Sequence, residues 1–177
     1  MPEPTRPEPT RTLVVVRHAK AEQGGPTDAE RPLAESGRSD AAAAGAWLRD
    51  RGIRPDHALV SAALRTRQTW QHLADGAGWR LEPELDEGLY AADADTALDL
   101  VRLLDDAVTT AVVLGHNPTM HSLAAMLDDG EGDVEATNEL TVTTFPTSAV
   151  VVLDVAGPWA DLGYGRASVR AFHVARG

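Results

Sequence analysis

The chain alternates between short runs of apolar residues and longer segments in which apolar residues recur every three or four positions. The short runs are rich in valine and predict buried strands, whereas the longer segments predict helices that bury one face. Strands are predicted at residues 12–17, 57–61, 79–82, 110–115, 148–155 and 168–174, and helices at residues 34–51, 62–75, 93–106 and 118–127.

This alternation of strands and helices favours an α/β sandwich with a largely parallel sheet. The length of 177 residues suits one domain, which we place at residues 12–177. Residues 128–147 are acidic and show no clear period, so we expect a long surface loop there, close to a functional site.

The N-terminal segment, residues 1–11, contains the sequence PEPTR twice and is rich in proline. We expect it to be a disordered, extended tail. It has no hydrophobic signal core, and no apolar run in the chain approaches the ~20 residues of a membrane span. We therefore expect a cytoplasmic protein.

The charge and the residue types narrow the function further. The net charge of -11 argues against general affinity for nucleic acid or for an anionic membrane, although a pocket in such a protein can still be locally positive. The lack of cysteine excludes disulfides, thiolate catalysis and cysteine metal sites. The one lysine, Lys20, either lines the rim of a site or faces water, and the same holds for Glu22.

Basic side chains follow three of the predicted strands. Arg17 and His18 come at the end of the first strand, Arg65 follows the second, and His116 follows strand 110–115. Because ligands bind at the carboxyl ends of parallel strands, we expect these four side chains to converge. Arg67 is also close, and we expect it to face solvent or form an ion pair on the helix surface.

Two arginines and two histidines suit a phosphoryl group. Arginine pairs bidentately with phosphate oxygens, a neutral imidazole can attack phosphorus, and a second imidazole can donate a hydrogen bond to the transferring group. This chemistry needs no metal or other cofactor, and the chain has no glycine-rich P-loop. A zinc site formed by His18, His116 and His121 is an alternative, but residues five apart share a helix face poorly.

The other histidines and the tryptophans have ordinary structural explanations. We assign His57, His72 and His173 to the surface or the core, and Trp47, Trp70, Trp79 and Trp159 to packing.

Five ordered motifs spanning about residues 12–155 resemble the histidine phosphatase superfamily, also called phosphoglycerate mutase-like. They are VVVRHAKAE, ERPLAESG, LVSAALRTRQT, VVLGHNPTM and PTSAVVVLD. Together they are most similar to the small phosphohistidine phosphatase branch of the SixA type. The resemblance implies a three-layer α/β/α sandwich around a mostly parallel sheet. It also implies that His18 is the nucleophile, that Arg17 and Arg65 bind phosphate, and that His116 completes the catalytic pocket.

The general acid is the open part of this assignment. Related mutases and phosphatases use an acidic residue after a Leu-x-Glu pattern. This makes Glu87 in ELDEGLY the first candidate and Glu84 the second. An imidazole leaving group departs more readily than an alkoxide once its ring is protonated, so a phosphohistidine phosphatase has less need of a strong acid.

We therefore expect a metal-independent phosphatase that works through a phosphohistidine intermediate. The lack of a large insertion after residues 57–61 suggests an open site, which favours phosphohistidine in a protein as the substrate. The alternatives are a phosphatase of a small phosphorylated metabolite and a non-catalytic domain that binds phosphorylated ligands. A phosphomutase is disfavoured because the chain is short.

Overall fold

The structure is a computed structural model that describes Met1 and residues 10–177. Its strands are β1 (Thr10–Arg17), β2 (His57–Ser61), β3 (Glu84–Asp86), β4 (Thr110–Gly115), β5 (Ala149–Ala156) and β6 (Ala167–Val174). Its helices are α1 (Glu35–Asp50), α2 (Leu64–Ala77), α3 (Ala94–Arg102), α4 (Thr119–Leu127) and α5 (Val134–Val142). Among the described residues, no helix is long and apolar enough to cross a bilayer.

Over the described residues the strands form one six-stranded sheet with the order β3-β2-β4-β1-β5-β6. β1, β4, β2 and β3 pair in parallel, and β5 is antiparallel to both of its neighbours. This confirms the predicted mostly parallel sheet. The pairing of Arg17 with Gly115 brings the carboxyl ends of β1 and β4 side by side.

Alternate residues of the central strands supply two separate apolar clusters, one on each face of the sheet. Val14 and Val16 pack with residues of α1 and α2, whereas Leu13 and Val15 pack with residues of α3, α4 and α5. Because both faces are covered, the strands are apolar at every position rather than at every second one. The expected three-layer sandwich is therefore confirmed.

Helices α1 and α2 approach each other closely at two glycines. A Cβ atom added to Gly45 would lie 1.9 Å from the carbonyl oxygen of Leu73, and one added to Gly76 would lie 2.2 Å from that of Ala42. Both distances are far inside van der Waals contact, so only glycine fits. This packing fixes α2, which carries Arg65 at its second position.

The start of β1 differs from the prediction by two residues. The strand begins at Thr10, so Thr10 and Arg11 belong to the sheet and not to the tail. The guanidinium of Arg11 is buried and donates to the carbonyl oxygens of Asp106 and Gly157, which anchors this end of the strand. The rest of the predicted tail, residues 2–9, lies outside the described residues.

The prediction of a strand at residues 79–82 was wrong, because the edge strand is β3, two residues further on. Trp79 and Leu81 do pack on the apolar cluster beneath α1 and α2, which explains the strand-like alternation of that segment. The hydrogen-bonded ladder forms later, where Leu59 of β2 pairs with Glu84.

The prediction of a loop over residues 128–147 was also wrong, because the segment contains α5. The side chain of Asp133 accepts a hydrogen bond from the backbone N–H of Ala136 and caps the helix. Ala136 and Leu140, four residues apart, bury one face of α5, and Phe145 is fully buried after it. Two buried positions in nine residues are too few to show a clear period.

Candidate active site

The two histidines at the centre of the site are brought together by the neighbouring parallel strands β1 and β4. His18 follows β1 directly and His116 follows β4 directly, and the backbone N–H of His18 donates to the carbonyl oxygen of Gly115 at 3.0 Å. The two ring centroids are 5.3 Å apart. The expected convergence of these strand ends is therefore present in the structure.

The hydrogen bond made by the His18 ring decides which nitrogen is free to react. Nδ1 lies 2.7 Å from the carbonyl oxygen of Ala19 and donates its proton to it. The tautomer follows from this bond, because a carbonyl oxygen only accepts, and Nε2 is left with its lone pair. The side chain of Thr69 holds Ala19 in turn by accepting its backbone N–H at 3.0 Å.

His18 is also kept neutral. It is 8% exposed, and burial lowers its pKa to about 4, an effect that the positive charges of Arg65 and Arg17 reinforce and the bond to Ala19 opposes. The imidazole is therefore unprotonated at neutral pH, as a nucleophile must be.

His116 is held from the neighbouring strand β2. Its Nε2 lies 2.7 Å from the hydroxyl of Ser61, the last residue of β2, and the ring of Tyr90 meets it edge-on at 5.3 Å between centroids. Burial lowers the pKa of His116 to about 3, with further contributions from His18 and Arg65. Within the described residues, Nδ1 of His116 is buried and has no hydrogen-bond partner.

The two arginines approach the histidines from different elements. Arg65 is 6% exposed, and its place at the start of α2 follows from the two-residue connection between β2 and α2. The Nη1 of Arg17 donates to the carbonyl oxygen of Phe145 at 3.2 Å. The Nε groups of both arginines are buried without an acceptor among the described residues, as is that of Arg11 at the start of β1, so Arg17 and Arg65 each keep an N–H donor that these residues do not use.

One acidic residue of the site was missed by the sequence analysis. Asp28 lies in a short 3-10 turn, Asp28–Glu30, and its carboxylate accepts hydrogen bonds from Arg31, Arg65 and the hydroxyl of Tyr90. The bond from Tyr90, aided by the charge of Arg65 and by the hydrogen bonds from Arg65 and Arg31, lowers the pKa of Asp28 to about 2. Tyr90 lies 62 positions away along the chain and in a turn, so no periodic pattern links the two.

Glu87, the candidate acid, is not bonded to the four central residues. It is exposed and lines a shallow depression of about 280 Å³ together with Ala29, Ala62 and Tyr90. Tyr90, which lines this depression, also contacts His116. Glu84 instead pairs with His57 at 2.8 Å, at the start of β2 and so at the opposite end of the strand from Ser61.

The remaining candidates lie outside the central group. Nε2 of His121 lies 3.0 Å from the carbonyl oxygen of Leu140. Because a carbonyl oxygen only accepts hydrogen bonds, Nε2 carries the proton and donates it. His121 is thus turned towards α5, and the described residues contain no cluster of acidic or histidine side chains suited to a metal. Arg67 is exposed and donates to the carbonyl oxygen of Ala62, and Lys20 and Glu22 are both exposed.

Comparison with known proteins agrees with this geometry. Residues 13–98 match the family model of the histidine phosphatase superfamily (branch 1). The solved structure of a protein assigned as a SixA phosphohistidine phosphatase from Nakamurella multipartitia superimposes with a TM-score of 0.82 and 30% identity, over 96% of this chain and 99% of that one.

Two curated relatives are similar over most of the chain. A protein of Mycobacterium tuberculosis described as uncharacterized is 41% identical over 91% of this chain and 100% of its own length. Phosphohistidine phosphatase SixA of Escherichia coli is 29% identical over 82% of this chain and 87% of its own length.

The fold and the matched motifs define an α/β protein of the histidine phosphatase superfamily, and this chain belongs to that superfamily. Within it, the chain falls in the small branch of SixA-type proteins. Membership of this branch supports phosphatase activity on phosphorylated substrates.

Proposed function

We propose that this protein is a phosphatase that transfers a phosphoryl group to Nε2 of His18 and then to water. The observation that carries the proposal is the hydrogen bond from His18 Nδ1 to the Ala19 carbonyl oxygen, which leaves Nε2 as the unprotonated nitrogen. A neutral imidazole with a low pKa, two arginines and a second imidazole are the groups that phosphoryl transfer through a histidine needs.

The reaction takes two balanced steps. In the first, Nε2 of His18 attacks phosphorus in line, the bond from phosphorus to the leaving atom breaks, and the leaving atom takes a proton from solvent or from an acid of the site. In the second, a water oxygen attacks phosphorus and gives up its proton to solvent, the bond from phosphorus to Nε2 breaks, inorganic phosphate leaves, and His18 returns to its neutral form. Arg17, Arg65 and His116 hold the non-reacting phosphoryl oxygens in both steps.

The same donors support a mechanism without a metal ion. Two guanidinium groups supply the positive charge that a metal supplies in other phosphatases. We expect a chelator to leave the rate of phosphate release unchanged. Loss of activity on chelation, restored by one divalent metal, would contradict this part of the proposal.

The shape of the site favours phosphohistidine in a protein as the substrate. Only two residues, 62 and 63, connect β2 to α2 on this side of the site, so no insertion covers it there. An open site admits a side chain that projects from a folded protein, whereas a small metabolite is better held in an enclosed pocket.

The substrate preference can be tested by measuring phosphate release from a phosphohistidine-carrying protein and from a panel of sugar phosphates. We expect turnover of the phosphoprotein and little turnover of the sugar phosphates, with the His18→Ala variant inactive on both. Turnover of sugar phosphates alone would indicate a metabolite phosphatase. A wild type no faster than His18→Ala would indicate a domain that only binds phosphorylated ligands.

We propose Glu87 as the general acid for substrates whose leaving group is a poor one. Glu87 is exposed and lines the same depression as Tyr90, whose ring contacts His116. We expect Glu87→Gln to slow hydrolysis of an alkyl phosphate by about 10²-fold, the lower end of general-acid effects, and to leave phosphohistidine turnover nearly unchanged. Glu84→Gln is the matched control, and an equal effect of both variants would contradict the assignment.

A further inference from the structure

The guanidinium of Arg65, which the proposed function assigns to phosphate, is already occupied by an anion of the protein itself. Its Nη1 donates to the backbone carbonyl oxygen of Asp28 at 2.8 Å, and its Nη2 donates to Oδ2 of Asp28 at 3.2 Å. The two nitrogens that form the terminal fork of an arginine therefore both contact Asp28. An arginine pairs bidentately with phosphate oxygens through Nη1 and Nη2 or through Nε and Nη2, and both modes use Nη2, the nitrogen that Oδ2 of Asp28 occupies.

The side chains of Asp28 and Arg65 differ in how freely they can change partners. The side chain of Arg65 is 7% exposed and packed at the start of α2, whereas that of Asp28 is 57% exposed on a loop. If Oδ2 of Asp28 loses the bond from Arg65, the same oxygen keeps the bond from the Tyr90 hydroxyl, Oδ1 keeps the bond from Arg31 at 3.0 Å, and water can replace the lost donor. The carboxylate can therefore withdraw without being left unpaired.

We propose that the carboxylate of Asp28 competes with the phosphoryl group for Nη2 of Arg65 and so lowers the affinity of the site for phosphate. The inference rests on the proposed function, in which Arg65 binds the phosphoryl group. In the free protein Asp28 neutralises Arg65, and an incoming phosphoryl group displaces it. When inorganic phosphate is the product, the returning carboxylate favours its release.

The backbone contact of Asp28 has a different role in this arrangement. The bond from Nη1 of Arg65 goes to the main-chain oxygen, which remains whatever side chain stands at position 28. A change of side chain thus removes the competing charge and leaves the anchor that orients Arg65. This separation makes the proposal testable by a conservative substitution.

The test measures binding of inorganic phosphate by calorimetry to the wild type, to Asp28→Asn and to Glu30→Gln. Glu30 lies in the same turn, is exposed and bonds to Thr27 instead of Arg65, so its variant removes the same charge without the contact. Because a hydrogen bond to a charged group is worth about one factor of ten in an equilibrium constant, we expect Asp28→Asn to bind phosphate about tenfold more tightly. Glu30→Gln should change the affinity by less than about twofold.

A double variant assigns the effect to Arg65. In an Arg65→Gln background, Asp28→Asn should no longer strengthen binding, because the competition has no target. Weaker phosphate binding by Asp28→Asn would overturn the proposal and show that the carboxylate only positions Arg65. An equal gain in Glu30→Gln would overturn it in favour of a general charge effect. A wild type that does not bind phosphate would refute the proposed function itself, and with it this inference.

Discussion

Individual hydrogen bonds and burial set the protonation states of the histidines in the candidate site, and His18 shows how. One hydrogen bond to the carbonyl oxygen of Ala19 selects Nε2 as the free nitrogen, and burial beside Arg17 and Arg65 keeps the ring neutral. His116 is neutral for the same main reason, burial, and Ser61 fixes its ring. Neither imidazole needs a change of protonation state before a substrate binds at neutral pH.

The first prediction concerns the titration of His18. Because burial lowers its pKa to about 4, its ring should stay neutral well below the ordinary value of ~6.5. Ring-nitrogen chemical shifts recorded across an acid titration, with His18→Gln to assign the signal, measure this directly. A His18 signal that titrates near the ordinary value would show that the imidazole is not desolvated as described.

At the residue scale, the sequence could identify the candidate site residues at the ends of strands but not those that come from loops and turns. The structure brings Arg17, His18, Arg65 and His116 together because each lies at or shortly after the carboxyl end of a parallel strand. Asp28 and Tyr90 come from separate short turns, and their contact depends on how the whole chain folds. No local pattern of residues encodes such a meeting.

At the scale of elements, the packing of α1 against α2 positions Arg65. The helices approach so closely at Gly45 and Gly76 that backbone oxygens of one nearly touch the glycine Cα atoms of the other. Two elements were predicted wrongly because the pattern of apolar residues did not match their secondary structure. Helix α5 buries too few residues to display a period, and Trp79 and Leu81 alternate like a strand while packing outside the ladder.

The second prediction follows from the close contact at Gly45. At a helix position with free space for a Cβ atom, a change from glycine to alanine stabilises the folded protein by about 0.5–1 kcal/mol. At Gly45, however, the new Cβ would lie 1.9 Å from the Leu73 carbonyl oxygen. We expect Gly45→Ala to lower the free energy of unfolding by about 1–3 kcal/mol, which denaturant titration would measure. Gly24→Ala is the control, since nothing lies within 4 Å of its added Cβ, and equal stability of the two variants would contradict the packing described.

For the molecule as a whole, the sheet order determines which strand ends become neighbours. β1 lies between β4 and β5, and β4 lies between β1 and β2, so the ends that carry His18, His116 and Ser61 are adjacent. The fold class and most element positions were predictable because strands that are covered on both faces leave short but uninterrupted apolar runs in the sequence. The order of strands across the sheet is a property of tertiary packing, which apolar periodicity does not record.

The third prediction concerns stability in acid. The folded pKa of His18 is depressed, so between about pH 6.5 and pH 4 the unfolded chain binds a proton that the folded chain does not. The contribution of His18 to stability is therefore complete above pH 6.5 and declines as the pH falls, by about 2 kcal/mol between pH 7 and pH 5. Denaturant titrations at the two pH values should show a smaller loss for His18→Gln than for the wild type. An identical loss in both proteins would exclude His18 as its source.

The central claim is that the phosphoryl group passes through His18, and rapid-quench labelling tests it most directly. The protein is mixed with a phosphohistidine-carrying substrate, quenched in base, digested and examined by mass spectrometry for a phosphorylated peptide that contains residue 18. We predict one phosphoryl group on His18 in the wild type, stable in base and lost in acid, and none in His18→Gln, which should also release no phosphate. Release of phosphate by His18→Gln at the wild-type rate, with no labelled His18 in the wild type, would contradict the account.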